Sequence, residues 1–365
     1  MANYEQFFAA NLRRLRKAAG MTQADLGRAI GYSEKTVSKW ECAAGIPDVD
    51  GLFALSKTLC VSMEALFADD TRVYFLGIDG GGTKTTLLLT DSNGREIRKL
   101  HADRCNPMDI GVDKCAQVLR DGICEICDGI PLSSVVVYAG IAGCTAVKDQ
   151  LDDFFRSLPV RLFAFDSDNT IFMQAALGDG DGVCVILGTG ICAWARHHGE
   201  TFRTGGWGYL VNEGGCAFDI GQDALKAYYS WVDGIGESSP LTQAIGKLYD
   251  DNAALLRQVY RGGKKWIASL SPMVFNAAGE GDSLAAAIIE RNMTVAARVI
   301  ETAAKPFSAG PVRVVITGGL TNQRMIVPYL RDAMQAPERI DLSVLEAEPV
   351  TGAVTLAKKL WLQSK

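Results

Sequence analysis

No apolar run in this 365-residue sequence is long enough to cross a bilayer as a helix, which excludes a hydrophobic helical anchor. The first residues, Met-Ala-Asn-Tyr-Glu-Gln, lack the basic stretch and following apolar segment of a secretory leader. Positive charge is not in excess either. Thirty-seven Lys and Arg against 42 Asp and Glu leave a net charge of −5, which gives no general affinity for nucleic acid, although an average can hide a local basic face. Ten cysteines would suggest disulfides only in a secreted chain, and no second CxxC stands near the one formed by Cys124 and Cys127. That pair lies in a helical pattern from Asp113 to Asp128, so free thiols packed on a helix face are expected, in a cytoplasmic protein.

What the sequence does contain is two glycine-centred turns, Asp79-Gly80-Gly81-Gly82-Thr83-Lys84 and Leu187-Gly188-Thr189-Gly190. The first lies between Tyr74–Ile78 and Thr85–Thr90, the second between Gly182–Leu187 and Ile191–Ala195, so both read as strand, tight turn, strand. Glycine lets consecutive backbone N–H groups converge on an anion, and threonine adds a hydroxyl donor. Asp79 ends its strand beside such a turn, where a carboxylate makes sense if it holds Mg²⁺ through water. A pair of ordinary β-hairpins with glycine-rich tips is the plainer alternative. A Walker A loop is excluded because Thr83 stands where the lysine must follow the last glycine and a strand follows where a helix should. The dinucleotide fingerprint fails for want of a third glycine and a following helix.

Residues 11–70 follow a different pattern, with short amphipathic helices and no strand. Thr22 and Asp25 form a cap-like start before Gln23–Ile30, Gly31 stops that helix, Ser33 caps the next, and Ser62 opens a fifth. Up to Lys39 seven basic residues face only three acidic ones, whereas Asp48, Asp50, Glu64, Asp69 and Asp70 cluster afterwards. The segments Leu12–Gly20, Met21–Leu26, Gly31–Glu41 and Ile46-Pro47 resemble the Cro/repressor-type helix-turn-helix family. The resemblance implies that Gln23 meets the DNA backbone and that Glu34, Lys35, Thr36 and Lys39 face the major groove, with Val37 and Trp40 inward as core. It also implies a homodimer on operator DNA. A helical module used for dimerisation or protein contact is the alternative.

From Tyr74 onward apolar runs alternate with helical stretches, and the recurrence of the glycine turn suggests a duplicated α/β lobe. Asp79–Lys84, Gly188–Gly190, Gly205-Gly-Trp-Gly-Tyr209 and Thr317-Gly-Gly319 together resemble the BadF/BadG/BcrA/BcrD family and, within it, its N-acetylglucosamine kinases. The resemblance implies a multidomain chain: an all-α helix-turn-helix domain over residues 1–70, then an α/β actin-like ATPase fold. Two RNase H-like lobes, 74–180 and 181–365, would flank a nucleotide cleft, the C-terminal helix being a candidate to return to the first lobe. Gly81, Gly82, Thr83, Lys84, Thr189 and Gly190 would hold ATP phosphates, with Gly318 and Gly319 near the adenosine and Mg²⁺ at Asp79. Asn106, Gly206, Trp207, Gly208 and Glu213 would bind the amino sugar, and Asp168, rather than Asp166, would be the base.

One departure stands out. Asn212-Glu213-Gly214-Gly215 replaces the family's Gly-Asp-Glu-Gly, placing Glu213 at the sugar-binding aspartate and Gly214 at the glutamate. This keeps open a sugar- or ATP-sensing transcription factor with weak or lost turnover. The other branch of the family, activators of 2-hydroxyacyl-CoA dehydratases and benzoyl-CoA reductases, bridges an iron–sulfur cluster through a cysteine beside the second turn. Val185–Gly190 lacks it, with Cys184 and Cys192 misplaced inside strands, so no cluster is expected.

Overall fold

The computed structural model describes residues 4–67, 72–211, 214–308 and 310–364. It divides into two compact units, residues 1–175 with 349–365, and residues 176–348.

The first unit opens with five helices: α1 (Tyr4–Ala18), α2 (Gln23–Ile30), α3 (Glu34–Glu41), α4 (Val49–Leu59) and α5 (Met63–Phe67). Local chemistry sets their ends. Thr22 and Asp25 close a reciprocal capping box at the start of α2, Gly31 ends it with φ +79°, and the Ser33 hydroxyl caps α3. Phe8, Leu12, Leu26, Val37, Trp40, Leu55 and Leu66 form one small core. α1 begins at Tyr4, about two turns before the pattern read from sequence, because Phe8 falls at helical spacing from Leu12 and is fully buried.

The chain then forms β1 (Tyr74–Gly80), β2 (Lys84–Thr90) and β3 (Glu96–Asp103), followed by α6 (Pro107–Ile110), α7 (Val112–Ile126), β4 (Val135–Ile141), α8 (Lys148–Arg156), β5 (Leu162–Asp166) and α9 (Asp168–Leu177). The strand order is β3-β2-β1-β4-β5, with β1 to β3 an antiparallel meander and β4 and β5 added parallel to β1. The central strands are apolar throughout because both faces are covered. β3 is an edge strand and carries Glu96, Arg98 and Lys99 towards solvent. Leu76, Ile78, Leu87 and Leu89 pack with Leu119, Ile123 and Phe155 on one face, while Phe75, Leu88 and Val136 meet Val350, Val354 and Ala357 on the other. α7 ends at Ile126, so the CxxC straddles its C-terminus, with Cys127 buried but Cys124 exposed rather than packed.

The second unit holds β6 (Gly182–Leu187), β7 (Ile191–His197), β8 (Glu200–Gly205), α10 (Ala217–Val232), α11 (Pro240–Gly246), α12 (Asn252–Ala268), α13 (Ser271–Gly279), α14 (Ser283–Ala304), β9 (Val312–Thr317), α15 (Ile326–Ala333) and β10 (Ile340–Val344). Its order, β10-β9-β6-β7-β8, is the same arrangement as the first sheet: a meander from the central strand, then two strands parallel to it. The long helix α14 supplies Ile289, Met293, Ala296 and Ile300 to the core beneath β6, β7 and β8. α16 (Val350–Gln363) closes the chain in the first unit, against β1 and β4. Gly77 permits that approach, since a Cβ there would lie 2.7 Å from the Val350 carbonyl. Among the described residues no helix is long and apolar enough to cross a membrane.

Candidate functional site

Both glycine turns lie where strand meets strand, as read from the sequence: the first joins β1 to β2, the second β6 to β7. In the first, Asp79 is half-buried near the end of β1, opposite Thr86 on one side and Gly140 on the other, while Thr83 and Lys84 are exposed. The turn closes through Gly81 N–H to the Lys84 carbonyl at 3.1 Å. Cys105 donates its N–H to the Gly81 carbonyl at 3.2 Å, which brings the next residue, Asn106, alongside. Gly80 must be glycine because a Cβ there would run into the Cys105 sulfur. The Asp79 carboxylate is a hard oxygen donor of the kind that suits Mg²⁺.

Asn106 caps α6, its Oδ1 accepting from Met108 N–H at 3.0 Å. Gly143, at φ +76°, lets the loop after β4 reach it, since a Cβ there would stand 2.5 Å from the Asn106 Oδ1. That loop continues to Cys144, whose thiol is pushed up by burial and then by the carboxylates of Asp166 and, more weakly, Asp168. Asp168 is the first residue of α9 and half-buried; its Oδ1 accepts from Asn169 N–H and the Ser167 hydroxyl, each at 3.1 Å. Asp166, by contrast, is exposed at the end of β5. In the first unit Asn106 thus lies beside the first turn and against the loop after β4, and the Asp168 carboxylate acts on the Cys144 thiol of that loop through its charge. Asp109 joins them, its carboxylate oxygen 3.2 Å from the point a Cβ on Gly82 would occupy. Sequence reasoning passed over it; its position on the short helix opened by Asn106 was the available signal.

In the second unit, Thr189 and Gly190 are exposed at the turn, which closes through Gly188 N–H to the Gly190 carbonyl at 3.0 Å. The N-terminus of α10 backs it: Ala217 N–H donates to the Gly188 carbonyl at 2.8 Å, and the Cys216 thiol to the Thr189 carbonyl at 3.0 Å. Burial pushes that thiol up to about 12. Gly318 and Gly319 cross beside Gly188, and Gly318 at φ +111° sits with its Cβ position 2.5 Å from the Leu187 carbonyl. Gly206, Trp207 and Gly208 follow β8, next to the start of β7. Both glycines have left-handed φ, and a Cβ on Gly206 would meet the Cys192 sulfur at 2.7 Å. Trp207 is 70% exposed, so it is not core; Arg203 stacks over its ring at 4.0 Å. A cavity of about 340 Å³ opens beside it, lined by Ile191, Thr204, Val211, Arg298 and Thr302 among others. Glu213 and its neighbour Asn212 lie outside the described residues. Gly214 has φ +119°, a conformation that explains glycine where the family has glutamate.

The helical module presents α3 outward. Glu34, Lys35 and Lys39 are exposed and Thr36 half-buried, while Val37 and Trp40 turn inward, Trp40 edge-on to Tyr32 at 5.0 Å. Gln23 is half-buried at the start of α2 and donates to Glu41 at 2.8 Å. Glu41 also takes a forked pair of hydrogen bonds from Arg16 at 2.6 and 3.0 Å. Burial alone would push the Glu41 carboxyl up; the Arg16 and Gln23 hydrogen bonds outweigh it and hold the group below its ordinary value.

Residues 76–357 match the model of the BadF/BadG/BcrA/BcrD ATPase family, and residues 12–66 match a helix-turn-helix model. A Clostridium acetobutylicum N-acetylmuramic acid/N-acetylglucosamine kinase is 26% identical over 306 residues, 78% of this chain and 98% of that protein. An N-acetyl-D-glucosamine kinase of Dictyostelium discoideum is 27% identical over 316 residues, 79% and 98% of the two chains. A solved Chromobacterium violaceum structure, provisionally named an N-acetylglucosamine kinase, shares the fold with TM-score 0.64 and 24% identity, over 78% of this chain and 99% of that one. A ROK-family transcriptional regulator, a homologue of the E. coli MLC protein, aligns over 98% of this chain and 96% of its own, with TM-score 0.52 and 14% identity.

Proposed function

The chain belongs to the BadF/BadG/BcrA/BcrD ATPase family, and we propose that it phosphorylates N-acetylglucosamine or a related amino sugar from ATP and couples that site to operator DNA. The observation that carries the enzymatic half is Asp168, a half-buried carboxylate at the head of α9 whose charge is felt at Cys144, in the loop that also reaches Asn106 beside the first glycine turn. On this reading Asp168 accepts the proton of the attacking sugar hydroxyl, worth roughly 10²–10⁴-fold in rate. Gly81, Gly82, Thr83, Lys84, Thr189 and Gly190 orient the phosphates, while Gly318 and Gly319 leave room for the adenosine. Asn106, Glu213 and the loop of Gly206, Trp207 and Gly208 hold the sugar, the exposed indole offering a flat apolar face. Asp79 would hold Mg²⁺ through water, and the bound ion supplies neutralisation of the charge on the phosphate oxygens. The kinase names of the two sequence relatives support this choice of substrate.

Gln23, Lys35, Thr36 and Lys39 would contact DNA, with Glu34 set to accept from a cytosine amine. Because this class reads paired half-sites, a homodimer is part of the proposal. Incubation of the full chain with Mg-ATP and a panel of amino sugars, N-acetylmuramic acid included, should release ADP with at least one sugar and lose that release in Asp168→Asn. No ADP above background with any sugar would overturn the enzymatic half.

The second reading, a regulator that senses sugar or nucleotide without turnover, draws on Gly214, where the family's glutamate is missing, and on the regulator name of the whole-length structural relative. It requires sugar-dependent gel shifts with no phosphoryl transfer. A shift that ignores sugar excludes sensing, and no DNA binding at any salt removes the regulatory half of both readings.

A further inference from the structure

Two of the three histidines in the chain, His197 and His198, sit side by side where β7 turns into β8, and the proposed kinase reaction uses neither. Asp181 lies against them from the start of β6. The carboxylate, the two imidazoles and their possible ligand atoms all fall within 4.8 Å of one another. His197 Nδ1 stands 3.3 Å from Asp181 Oδ2, and His198 donates its backbone N–H to the same oxygen at 3.0 Å.

The cluster is held in place from three sides. Arg196 donates to the carbonyls of Gly178 at 2.6 Å and Gly180 at 2.6 and 3.0 Å, which fixes the loop that carries Asp181. The Phe307 ring packs on His197 with centroids 4.5 Å apart. His198 occupies the left-handed region at φ +52°, followed by Gly199 at +81°, so the tight turn sets the second imidazole beside the first, their centroids 4.0 Å apart. A nitrogen and an oxygen bound to one tetrahedral zinc at ordinary bond lengths stand about 3.4 Å apart. The 3.3 Å separation between His197 and Asp181 matches that edge and exceeds the usual length of an N–H···O hydrogen bond.

We infer that Asp181, His197 and His198 form a binding site for a divalent transition cation of the zinc type, clipping the β7–β8 hairpin to the start of β6. Two imidazoles and one carboxylate suit such a metal rather than Mg²⁺ or Ca²⁺, which take oxygen ligands. The His198 ring is exposed, with a ligand nitrogen already within 4.8 Å of the other two ligand atoms, so rotation about its side-chain bonds can carry that nitrogen onto the ion, and the remaining position belongs to water. The site lies at the far end of β6 and β7 from Gly188–Gly190, roughly 20 Å along the strands. The clip therefore stabilises the hairpin without entering the phosphate site.

The test titrates full-length protein with Zn²⁺ by calorimetry and with Co²⁺ by absorption, in the presence of excess Mg²⁺. One equivalent of each should bind, Mg²⁺ should not compete, and the Co²⁺ spectrum should show d–d bands without the thiolate charge-transfer band that the ten cysteines could give. His198→Asn keeps a residue tolerant of left-handed φ, and Asp181→Asn keeps an acceptor for the His198 N–H; each should weaken binding at least about tenfold while the metal-free melting temperature holds. Zn²⁺ should raise the melting temperature of the parent and not of either variant. Absence of stoichiometric binding, a thiolate-type spectrum, or affinity in the two variants equal to that of the parent would overturn the site.

Discussion

The two glycine turns hold the same place in two sheets of the same strand order, yet they are built from different chemistry. Before the first glycine of one stands Asp79, and before that of the other stands Leu187. The first turn is flanked by side chains, with Asn106 and Asp109 beside it, and the same sheet carries Asp168 just after β5 at the head of α9. The second is ringed by backbone: the head of α10 and the crossing of Gly318. The same turn can thus serve two purposes, one presenting charge and proton-accepting groups, the other only oriented N–H donors and a helix N-terminus suited to an anion. On the proposed function, chemistry resides with the first turn and grip with the second.

The largest expected effect breaks that asymmetry at its centre. Asp168→Asn preserves the oxygen that accepts from Asn169 N–H and the Ser167 hydroxyl, so the fold should stand. Turnover should fall on the order of 10²–10⁴-fold with the sugar KM little changed, as expected for a group acting in the transition state. Thr189→Val in the second turn should raise the KM for ATP and leave kcat within about tenfold, because only one hydroxyl donor is lost. Steady-state kinetics on the two variants decide the matter: equal kcat losses would show that chemistry is not confined to the first turn.

The helical module supplies a contrast of comparable size. Its charged centre, Arg16 with Glu41, is a buried, forked ion pair, unlike the buried Asp282 of the kinase region, which accepts from the backbone N–H groups of Leu241, Leu284 and Ala285. Glu41→Ala leaves the buried Arg16 guanidinium without its carboxylate, with the Met21 carbonyl still accepting at 2.6 Å, and should cost about 3–5 kcal/mol in that module. DNA binding should be lost while ADP release survives. The pH dependence has a definite sign: a carboxyl held below its ordinary value contributes fully above the unfolded value of about 4.3 and loses that contribution as pH falls through the lower folded value. The hydrogen-exchange protection factor of α2 and α3, which corrects for the intrinsic slowing of exchange in acid, should therefore fall on acidification towards that lower value in the parent. In Glu41→Gln it should show no such acid dependence from this pair.

How much of this was legible beforehand follows the burial of each element. β1, β2, β6 and β7 are buried strands, so their apolar runs and the glycines between them could be read directly. β3 and β8 were not, because they are edges whose residues, such as Glu96, Arg98, Lys99, Glu200 and Arg203, face solvent and leave no apolar alternation. The caps at Thr22, Gly31 and Ser33 were legible because they are local hydrogen-bond chemistry. Trp207 was placed in an open loop by the family resemblance alone; its exposure between two glycines of left-handed φ is a feature that composition and spacing do not show. Asp109 left a local signal, its place on the short helix opened by Asn106, whereas the cluster of Asp181 with His197 and His198 depends on strand pairing, which no spacing in the chain reveals.

A smaller effect separates the glycines within the second site. Gly318→Ala forces a Cβ to 2.5 Å from the Leu187 carbonyl at φ +111°, whereas Gly190→Ala meets nothing within 4 Å. The first should cost about 1–3 kcal/mol by overpacking and strain, seen as a lower melting temperature of the whole kinase region. The second should leave the melting temperature unchanged and act, if at all, on the KM for ATP. Equal melting temperatures would mean that the Gly318 crossing relaxes and does not shape the second turn.

The smallest expected effect lies behind the turns, where each has a buried cysteine. Cys105 abuts Gly80 and Cys216 bonds to the Thr189 carbonyl, but their thiols are pushed in opposite directions. The Cys115 hydrogen bond holds Cys105 below its ordinary value against the cost of burial, while burial carries Cys216 up to about 12. Since the thiolate is the nucleophile, a small alkylating reagent applied to the native protein between pH 7 and 9 should reach Cys105 before Cys216. Cys115→Ala removes the donor, so Cys105 should then lose that lead even though the cavity left beside it improves access. Peptide mapping after quenching reads the order directly. Labelling that follows access, with Cys105 faster in the variant than in the parent, would show that the hydrogen bond does not set the difference between the two turns.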